Sequence, residues 1–211
     1  MTLQEWNGSA WVTTGTTYYC YYLGTEANGI AHGLKYVLGR FGYAQMLAWG
    51  ITPETAYDWQ IAINADHYFE YDASTKAVTL ERVGGGTLAF SYSRADSNHT
   101  DRFNHWKTKT VETLPDGHKQ VVYTNSAAQP ILKVFVKVVN QQETNDKWYD
   151  YFKYDDAGRL IWRGASSAVQ SYDESAATLV TLKTSSGLIQ VYDYYTDTDG
   201  NGGVNGYLQF E

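Results

Sequence analysis

"YFKYDDAGRLI" (residues 151–161) is the stretch that decides how this chain folds. Its aromatic residues fall at strand spacing: Phe152 and Tyr154 share one face, and Tyr151 and Lys153 take the other. Asp155 stands where a strand enters its turn, a position from which a carboxylate accepts hydrogen bonds from backbone N–H groups two residues on. Gly158 supplies the left-handed residue that closes a bulged hairpin, and Arg159 can answer the acid from the far side of the turn. The stretch predicts a β-hairpin turning at residues 156–158, and not an active site crowded with carboxylates and tyrosines.

The same pattern occurs upstream as "YFEYDASTKAV" (residues 68–78). Tyr68 matches Tyr151, Phe69 matches Phe152, Tyr71 matches Tyr154 and Asp72 matches Asp155, with strand parity kept throughout. Lys76 then aligns with Arg159 and Val78 with Ile161. The upstream copy has Thr75 where the downstream one has Gly158.

Tyr154, Asp155, Gly158, Arg159 and Leu160 resemble the YD repeat of the bacterial RHS family, whose core is Tyr-Asp, two spacers and Gly-Arg-Leu. The likeness spans roughly residues 60–200 and extends to "DHYFEYD", "KTKTVETLPDG" and "VVYTN", with "SSGLIQVYDYY" a looser fit. The resemblance is in particular to large RHS-type proteins of planctomycete-like bacteria. The resemblance implies hairpins lined up in a long curling open sheet, within a large secreted or cell-surface parent protein of which this chain is a fragment. The implied partners are other YD repeats of that parent, or a second chain paired through sheet edges. Two family properties do not carry over: the chain is too short to close a shell around a toxin, and it has no Asp-Pro dipeptide for self-cleavage.

Composition agrees with a strand-dominated fold. The 211 residues include 19 Tyr, 7 Trp and 7 Phe but only 3 Pro, and such aromatic rings suit pleated, half-buried surfaces. A formal net charge of -7 opposes nucleic acid and anionic membrane surfaces, and the most cationic stretch, Lys107–Lys109, is short. The single cysteine, Cys20, excludes an internal disulfide framework and reads as a small buried hydrophobe in an aromatic strand. No run approaches the length of a membrane-spanning helix, and "MTLQEWNGSAWVTT" lacks the basic and apolar regions of a signal peptide.

Along the chain, residues 1–66 read as a mixed N-terminal part and residues 67–211 as successive hairpins, within one domain. A strand is expected over Tyr18–Leu23. A small helical insertion is expected near residues 40–63: a first helix ending at Gly50, and a second starting from Thr52, Pro53 and Glu54. In the second, Ala56, Trp59 and Ile63 fall on one face. Hairpins are expected at Asp72–Thr75, at Pro115–Gly117, at Asp156–Gly158 and at Ser185–Gly187. The β-branched run "ILKVFVKVVN" requires cover on both faces or pairing on both edges.

Three sets of residues are candidates for function. Asp66, His67, His99, Asp101 and His105 could converge on zinc or another divalent ion, giving a metal-dependent hydrolase with an activated water as nucleophile. Asp197, Asp199 and Asn201 occupy the first, third and fifth positions of a calcium-loop pattern, although Leu208 stands where its bidentate Glu belongs. Trp148, Tyr149, Tyr151 and Trp162 concentrate around one hairpin, where exposed rings would stack on sugar rings and bind glycans. Adjacent acids such as Asp155-Asp156 and Asp173-Glu174 point to opposite strand faces, so neither pair alone is an acid/base dyad. No nucleophile elbow, P-loop or dinucleotide fingerprint is present. The leading expectation is a structural or adhesive module without catalysis; the hydrolase and the carbohydrate-binding module are the alternatives.

Overall fold

The computed structural model describes residues 1–198 and 202–210. The fold is mainly β, with antiparallel, open sheets and a small helical insertion. Contacts gather into two compact units, Met1–Tyr92 and Ser93–Glu211, each with its own hydrophobic cluster.

In the first unit, β1 (Thr2–Trp6) and β2 (Trp11–Thr16) form a separate two-stranded hairpin. A meander follows: β3 (Tyr18–Tyr21), β4 (Leu34–Leu38), β5 (His67–Tyr71), β6 (Val78–Val83) and β7 (Leu88–Asp96), whose end runs into the second unit. Between β4 and β5 lies the helical insertion. Its first helix, α1 (Arg40–Ala48), ends as expected at Gly50, which takes φ +74° and donates its N–H to the Leu47 carbonyl. Gly42 lets α1 close on the chain after the second helix, because a Cβ there would lie 2.4 Å from the Asn64 carbonyl oxygen.

The second helix starts later than the sequence pattern indicates. Pro53–Thr55 form only a 3-10 turn, Ala56 and Tyr57 are extended, and α2 covers Asp58–Ala62. Gln60 sets this start: its side-chain oxygen accepts the Tyr57 N–H at 2.9 Å, the back-reaching half of a capping box. The helices bury one residue each, Met46 from α1 and Ile61 from α2, against Tyr36, Leu38 and Ala65. Trp59 and Ile63 face outward instead. Lys35 on β4 is the buried cation of this unit. It bridges Glu26 at 2.8 Å and Asp58 of α2, tying a loop and the insertion to one strand.

The second unit is a longer meander: β8 (Thr108–Thr113), β9 (Lys119–Thr124), β10 (Pro130–Val139), β11 (Gln142–Tyr154) and β12 (Leu160–Ala165), joined at its edge by β15 (Ile189–Val191). Two small hairpins accompany it, β13 (Val169–Tyr172) with β14 (Val180–Leu182), and β16 (Asp193–Tyr194) with β17 (Leu208–Phe210). The β-branched run becomes β10, paired on both edges, to β9 and to β11. Its Leu132, Val134 and Val136 are buried with Val121 and Tyr123 of β9, while Tyr149, Tyr151, Tyr172 and Val180 pack around them. Lys133 and Phe135 alternate onto the opposite face, as a period of two requires.

One expected hairpin does not form. The stretch "LVTLKTSSGLIQVYDYYT" (residues 179–196) does not turn back on itself at Ser185–Gly187: β14 pairs with β13 and β15 pairs with β12. Gly187 explains the departure. It takes φ +117°, and a Cβ there would lie 2.3 Å from the Ala168 Cα, so the chain presses against Ala168 and passes on to the sheet edge.

Candidate functional site

The most organised polar region is a row of turns at one end of the second unit's sheet. Asp155 caps the first of them. Its Oδ1 accepts the N–H groups of Ala157 and Arg159, both at 2.9 Å, and its Oδ2 accepts Arg159 Nε–H at 2.7 Å. The backbone closes with Asp155 N–H donating to the Arg159 carbonyl and Gly158 N–H donating to the Asp155 carbonyl. Gly158 takes φ +78°, as the sequence requires. Partial burial opposes ionisation of Asp155, but the Arg159 and Ala157 donors outweigh it and hold the carboxyl below its ordinary range.

The turn between β9 and β10 repeats this pattern with different residues. Asn125 N–H donates to the Gln129 carbonyl and Ala128 N–H to the Asn125 carbonyl, while Asn125 Oδ1 accepts the N–H groups of Ala127 and Gln129. Asn125 thus takes the part of Asp155, and Ala128, at φ +60°, takes the part of Gly158. Sequence comparison missed this copy because the glycine is absent. The usable signal was a side-chain oxygen at the same offset in "TNSAAQPI" (124–131) as in "YDDAGRLI" (154–161). A further Tyr-Asp pair, Tyr172-Asp173, caps the turn between β13 and β14, where Ser175 N–H and Oγ–H both donate to Asp173 Oδ1. These two bonds hold the Asp173 carboxyl below its ordinary range.

Tyrosines stitch such turns to their neighbours. Tyr154 Oη donates at 2.7 Å to the carbonyl of Pro130, the first residue of β10 and the residue that follows the Asn125–Gln129 turn. Tyr194 Oη donates at 2.8 Å to the carbonyl of Leu160, the first residue of β12 and the residue that follows the Asp155–Arg159 turn. In the first unit, Tyr71 Oη donates at 2.9 Å to the carbonyl of Leu34, the first residue of β4. The last residue of each turn also reaches forward: Gln129 Nε2–H donates to the Gly158 carbonyl, and the Arg159 guanidinium lies 4.7 Å from the Tyr194 ring centre. Burial pushes the Tyr154 phenol up to about 12, so it remains a donor across the ordinary pH range.

A loop braces the row. Asn104 accepts Tyr154 N–H at 2.8 Å and donates to the Tyr154 carbonyl at 2.7 Å, and Asn125 Nδ2–H donates to the Phe103 carbonyl. The Phe103 ring covers Gly158, where a Cβ would come within 2.7 Å of it. Behind the loop, Glu174 accepts Tyr123 Oη–H at 2.7 Å and Lys109 Nζ–H at 2.6 Å, and its backbone carbonyl accepts Trp106 Nε1–H.

The upstream hairpin corrects one detail of the sequence alignment. Asp72 is the cap, as expected, with Oδ1 accepting Ser74 and Thr75 through both hydroxyl and backbone groups; these bonds hold it well below the usual carboxylate range. The turn is one residue longer, however, closing from Asp72 N–H to the Ala77 carbonyl. Lys76 therefore takes the left-handed position, at φ +62°, which corresponds to Gly158 and not to Arg159. Its ammonium donates to the Ala73 carbonyl and leaves the Asp72 carboxylate to the turn.

The hydrolase candidates are distributed over both units. Asp66 and His67 belong to the first. The Asp66 carboxylate lies against Gly39, where a Cβ would stand 2.1 Å from it, and His67 Nδ1–H donates to Glu81 at 2.8 Å. In the second unit, His99 packs edge-on against Trp106, Asp101 pairs with Lys107 at 3.1 Å, and His105 Nδ1–H donates to the Thr100 carbonyl at 3.0 Å. Asp101 and His105 share a cleft of about 410 Å³ with Arg102, Phe103, Asn104, Asp156 and Thr178. Among the described residues, no group of three or more His, Cys, Asp or Glu side chains is placed to hold a metal ion. Of the calcium-loop residues, Asp197 is described and receives a 3.5 Å contact from Thr196 Oγ1, whereas Asp199 and Asn201 lie outside the described residues.

The four aromatic candidates do not share a face. Tyr149 and Tyr151 pack against the core cluster, and burial raises both phenols. Trp162 is half-buried beneath the Lys153 ammonium, which lies 4.0 Å from its ring centre. Trp148 alone of the four projects from the opposite face, 52% exposed, beside Phe135 at 5.6 Å. It borders a groove of about 200 Å³ whose polar lining includes Gln120, Lys133 and Asp150.

Cys20, on β3, is partly buried, and burial pushes its thiol up, which opposes a role as a nucleophile. Among the described residues, no helix is long and apolar enough to cross a membrane. The chain matches no model of a known protein family, and a search of curated proteins finds no relative.

Proposed function

We propose that this chain is a structural module of the YD-repeat kind, within a large bacterial secreted or cell-surface protein, and that it builds or displays a β-sheet surface instead of catalysing a reaction. The observation that supports this reading is the repeated turn: an Asp or Asn cap, a left-handed residue three or four positions on, and a tyrosine hydroxyl on the first carbonyl of the neighbouring strand. In this reading the polar groups that resemble an active site serve the backbone. The Asp155, Asp72 and Asp173 carboxylates satisfy turn N–H groups, and Tyr71 and Tyr154 satisfy strand-end carbonyls. Further repeats of the parent, or a second chain at a sheet edge, are the proposed partners.

The test is the complete reading frame together with surface labelling. A parent of well over a thousand residues, with further Tyr-Asp turns on both sides and antibody access on intact cells, is the expected outcome. A short frame without flanking repeats, or a product found only inside the cell, would overturn it.

One observation favours carbohydrate binding as a second reading. The Trp148 ring beside Phe135 offers a stacking surface, and Gln120, Lys133 and Asp150 offer both donors and acceptors for hydroxyl groups. At about 200 Å³ the groove is below the usual range for drug-sized ligands, so it suits a single sugar ring. Retardation in native gels containing neutral polysaccharides, lost in Trp148→Ala, would support this reading, and unaltered migration across a broad polysaccharide set would remove it.

A further inference from the structure

The three tyrosine stitches obey one counting rule. Each tyrosine stands one residue beyond the position opposite its acceptor on the neighbouring strand. Leu132 pairs with Tyr151, so counting on sets Pro130 opposite Lys153, and Tyr154 is next. Trp162 pairs with Val191, which sets Leu160 opposite Asp193, and Tyr194 is next. In the first unit Tyr36 pairs with Tyr68, which sets Leu34 opposite Glu70, and Tyr71 is next. The acceptors are alike too. On their other edge Leu34, Pro130 and Leu160 each pair at a register shift, where the strand leaves its turn.

Leu208, the first residue of β17, has the same place in the second unit. It pairs with Tyr194 at a register shift. The turn before it closes as the Asp155–Arg159 turn does: Tyr195 N–H donates to the Tyr207 carbonyl, and Gly206 N–H, at φ +83°, donates to the Tyr195 carbonyl. Tyr194–Leu208 is therefore a further hairpin of the row, with a longer loop and with Tyr195 in the place of the capping acid. Among the described residues no hydroxyl reaches the Leu208 carbonyl, and β17 pairs with β16 alone. Leu208 and Phe210 are 48% and 54% exposed, whereas Leu160 is half-buried. In the first unit Val78 also pairs at a register shift and receives no hydroxyl among the described residues. The count from Leu80 and Ser91 assigns its stitch to Arg94, where the sequence has no tyrosine.

We infer that β17 is the docking edge for a further hairpin of the parent chain, which lays a strand antiparallel to β17 and sets a tyrosine hydroxyl on the Leu208 carbonyl. The inference rests on the reading of this chain as part of a larger repeat protein, and it names where and how the next repeat attaches. Backbone pairing along an open edge supplies the attraction, and the tyrosine selects the register. The chemistry of the occupant follows from the rule. Its residue one beyond the position opposite Leu208 is tyrosine, followed by Asp or Asn to cap the turn. A second copy of this chain has no such strand to offer. Its Tyr71, Tyr154 and Tyr194 hydroxyls already serve carbonyls of their own chain, and β5 and β11 are paired on both edges.

The test extends the full chain after Glu211 by Asn-Gly and a second copy of residues 150–165. Asn-Gly makes a two-residue hairpin turn, so Lys153 of the copy falls opposite Leu208 and its Tyr154 one residue beyond. Residue-resolved amide exchange is compared among the unextended chain, the extended chain, and the extended chain with Tyr154→Phe in the appended copy alone. The expected result is exchange at least tenfold slower over residues 208–210 and at the Tyr195 and Gly206 amides, with Tyr154→Phe returning Tyr195 and Gly206 to the unextended rates. Unchanged Asn125 and Ala128 amides show that the extended chain keeps its fold. No slowing overturns the inference. Equal slowing in both extended chains also overturns it, because β17 is then an ordinary edge without a stitch. Protection of 208–210 that grows with the concentration of the unextended chain gives the edge to a second copy, with the same consequence. The reading frame separates this inference from the one beneath it. A long frame with no Tyr-Asp or Tyr-Asn pair before the next turn after residue 211 overturns the docking edge and leaves the parent-protein reading standing. A short frame overturns that reading and this occupant with it.

Discussion

Replacing Asp155 separates the two things its carboxylate does. Oδ1 serves two backbone N–H groups, while Oδ2 pairs with Arg159 at 2.7 Å. The ion pair is partly solvated, with side-chain exposures of 36% for Arg159 and 21% for Asp155, so its net value is only about 0.5 kcal/mol. The backbone caps are worth more: removing both leaves two turn N–H groups without a protein partner, a cost of about 2 kcal/mol. Asp155→Ala should therefore lose roughly 2–3 kcal/mol, whereas Asp155→Asn, which keeps an Oδ1 acceptor, should lose only about 0.5 kcal/mol. Asn125 already holds an equivalent turn with an amide oxygen at 2.9–3.0 Å, which is why the asparagine is expected to suffice. In urea titration, the alanine variant should unfold about 1 M earlier and the asparagine variant near wild type. Equal losses in the two variants would place the stabilisation in the ion pair and refute the turn-cap argument.

The pH dependence of the same site follows from its sign. The folded-state Asp155 carboxyl titrates below its unfolded value, so its contribution is complete above the unfolded pKa, near about 4, and is lost as pH falls through the folded value. The stability gap between wild type and Asp155→Ala should hold from pH 5 to 7 and shrink in stronger acid, as read by urea midpoints at each pH. Lys35→Ala should destabilise the first unit by about 2–3 kcal/mol, because it removes a buried cation and leaves Glu26 and Asp58 without their partner; hydrogen exchange over 40–62 should accelerate first. Exchange unchanged from wild type would show that the ion trio does not hold the insertion. Gly187→Ala should be severely destabilising, since it combines positive φ with a 2.3 Å clash against backbone, while Gly117→Ala, at φ +86° in open space, should cost only about 1 kcal/mol. Thermal melts giving the reverse order would contradict the path assigned to residues 183–191.

What the sequence shows of this fold depends on how locally each element is encoded. The Pro115–Gly117 and Asp156–Gly158 hairpins are legible because their turn residues are themselves the geometry. The Asn125–Gln129 turn is hidden because Ala128 adopts a left-handed conformation that composition assigns to glycine, and Lys76 conceals the extra residue of the upstream turn in the same way. Residues 180–191 mislead because strand pairing is not a local property: a close approach of Gly187 to Ala168 sends β14 and β15 to different partners. The aromatic cluster at 148–162 is visible as composition, and strand alternation alone sets Trp148 and Tyr149 on opposite faces, but which of those faces is the core is decided by packing between distant segments, Tyr149 against Tyr172 and the β9–β10 cluster. The tyrosine stitches were the least accessible feature, since each joins residues at least 24 positions apart.

The central claim is that neighbouring turns act together because a tyrosine joins them. Amide hydrogen exchange of wild type and Tyr154→Phe, resolved by residue, tests it most directly. The Asn125 and Ala128 amides close one turn and the Asp155 and Gly158 amides close the next. Loss of the Tyr154 hydroxyl should speed exchange in both sets together, by about tenfold for a loss of about 1.4 kcal/mol. Acceleration confined to 155–158, with Asn125 and Ala128 unchanged, would contradict the stitched row and leave these turns as independent hairpins.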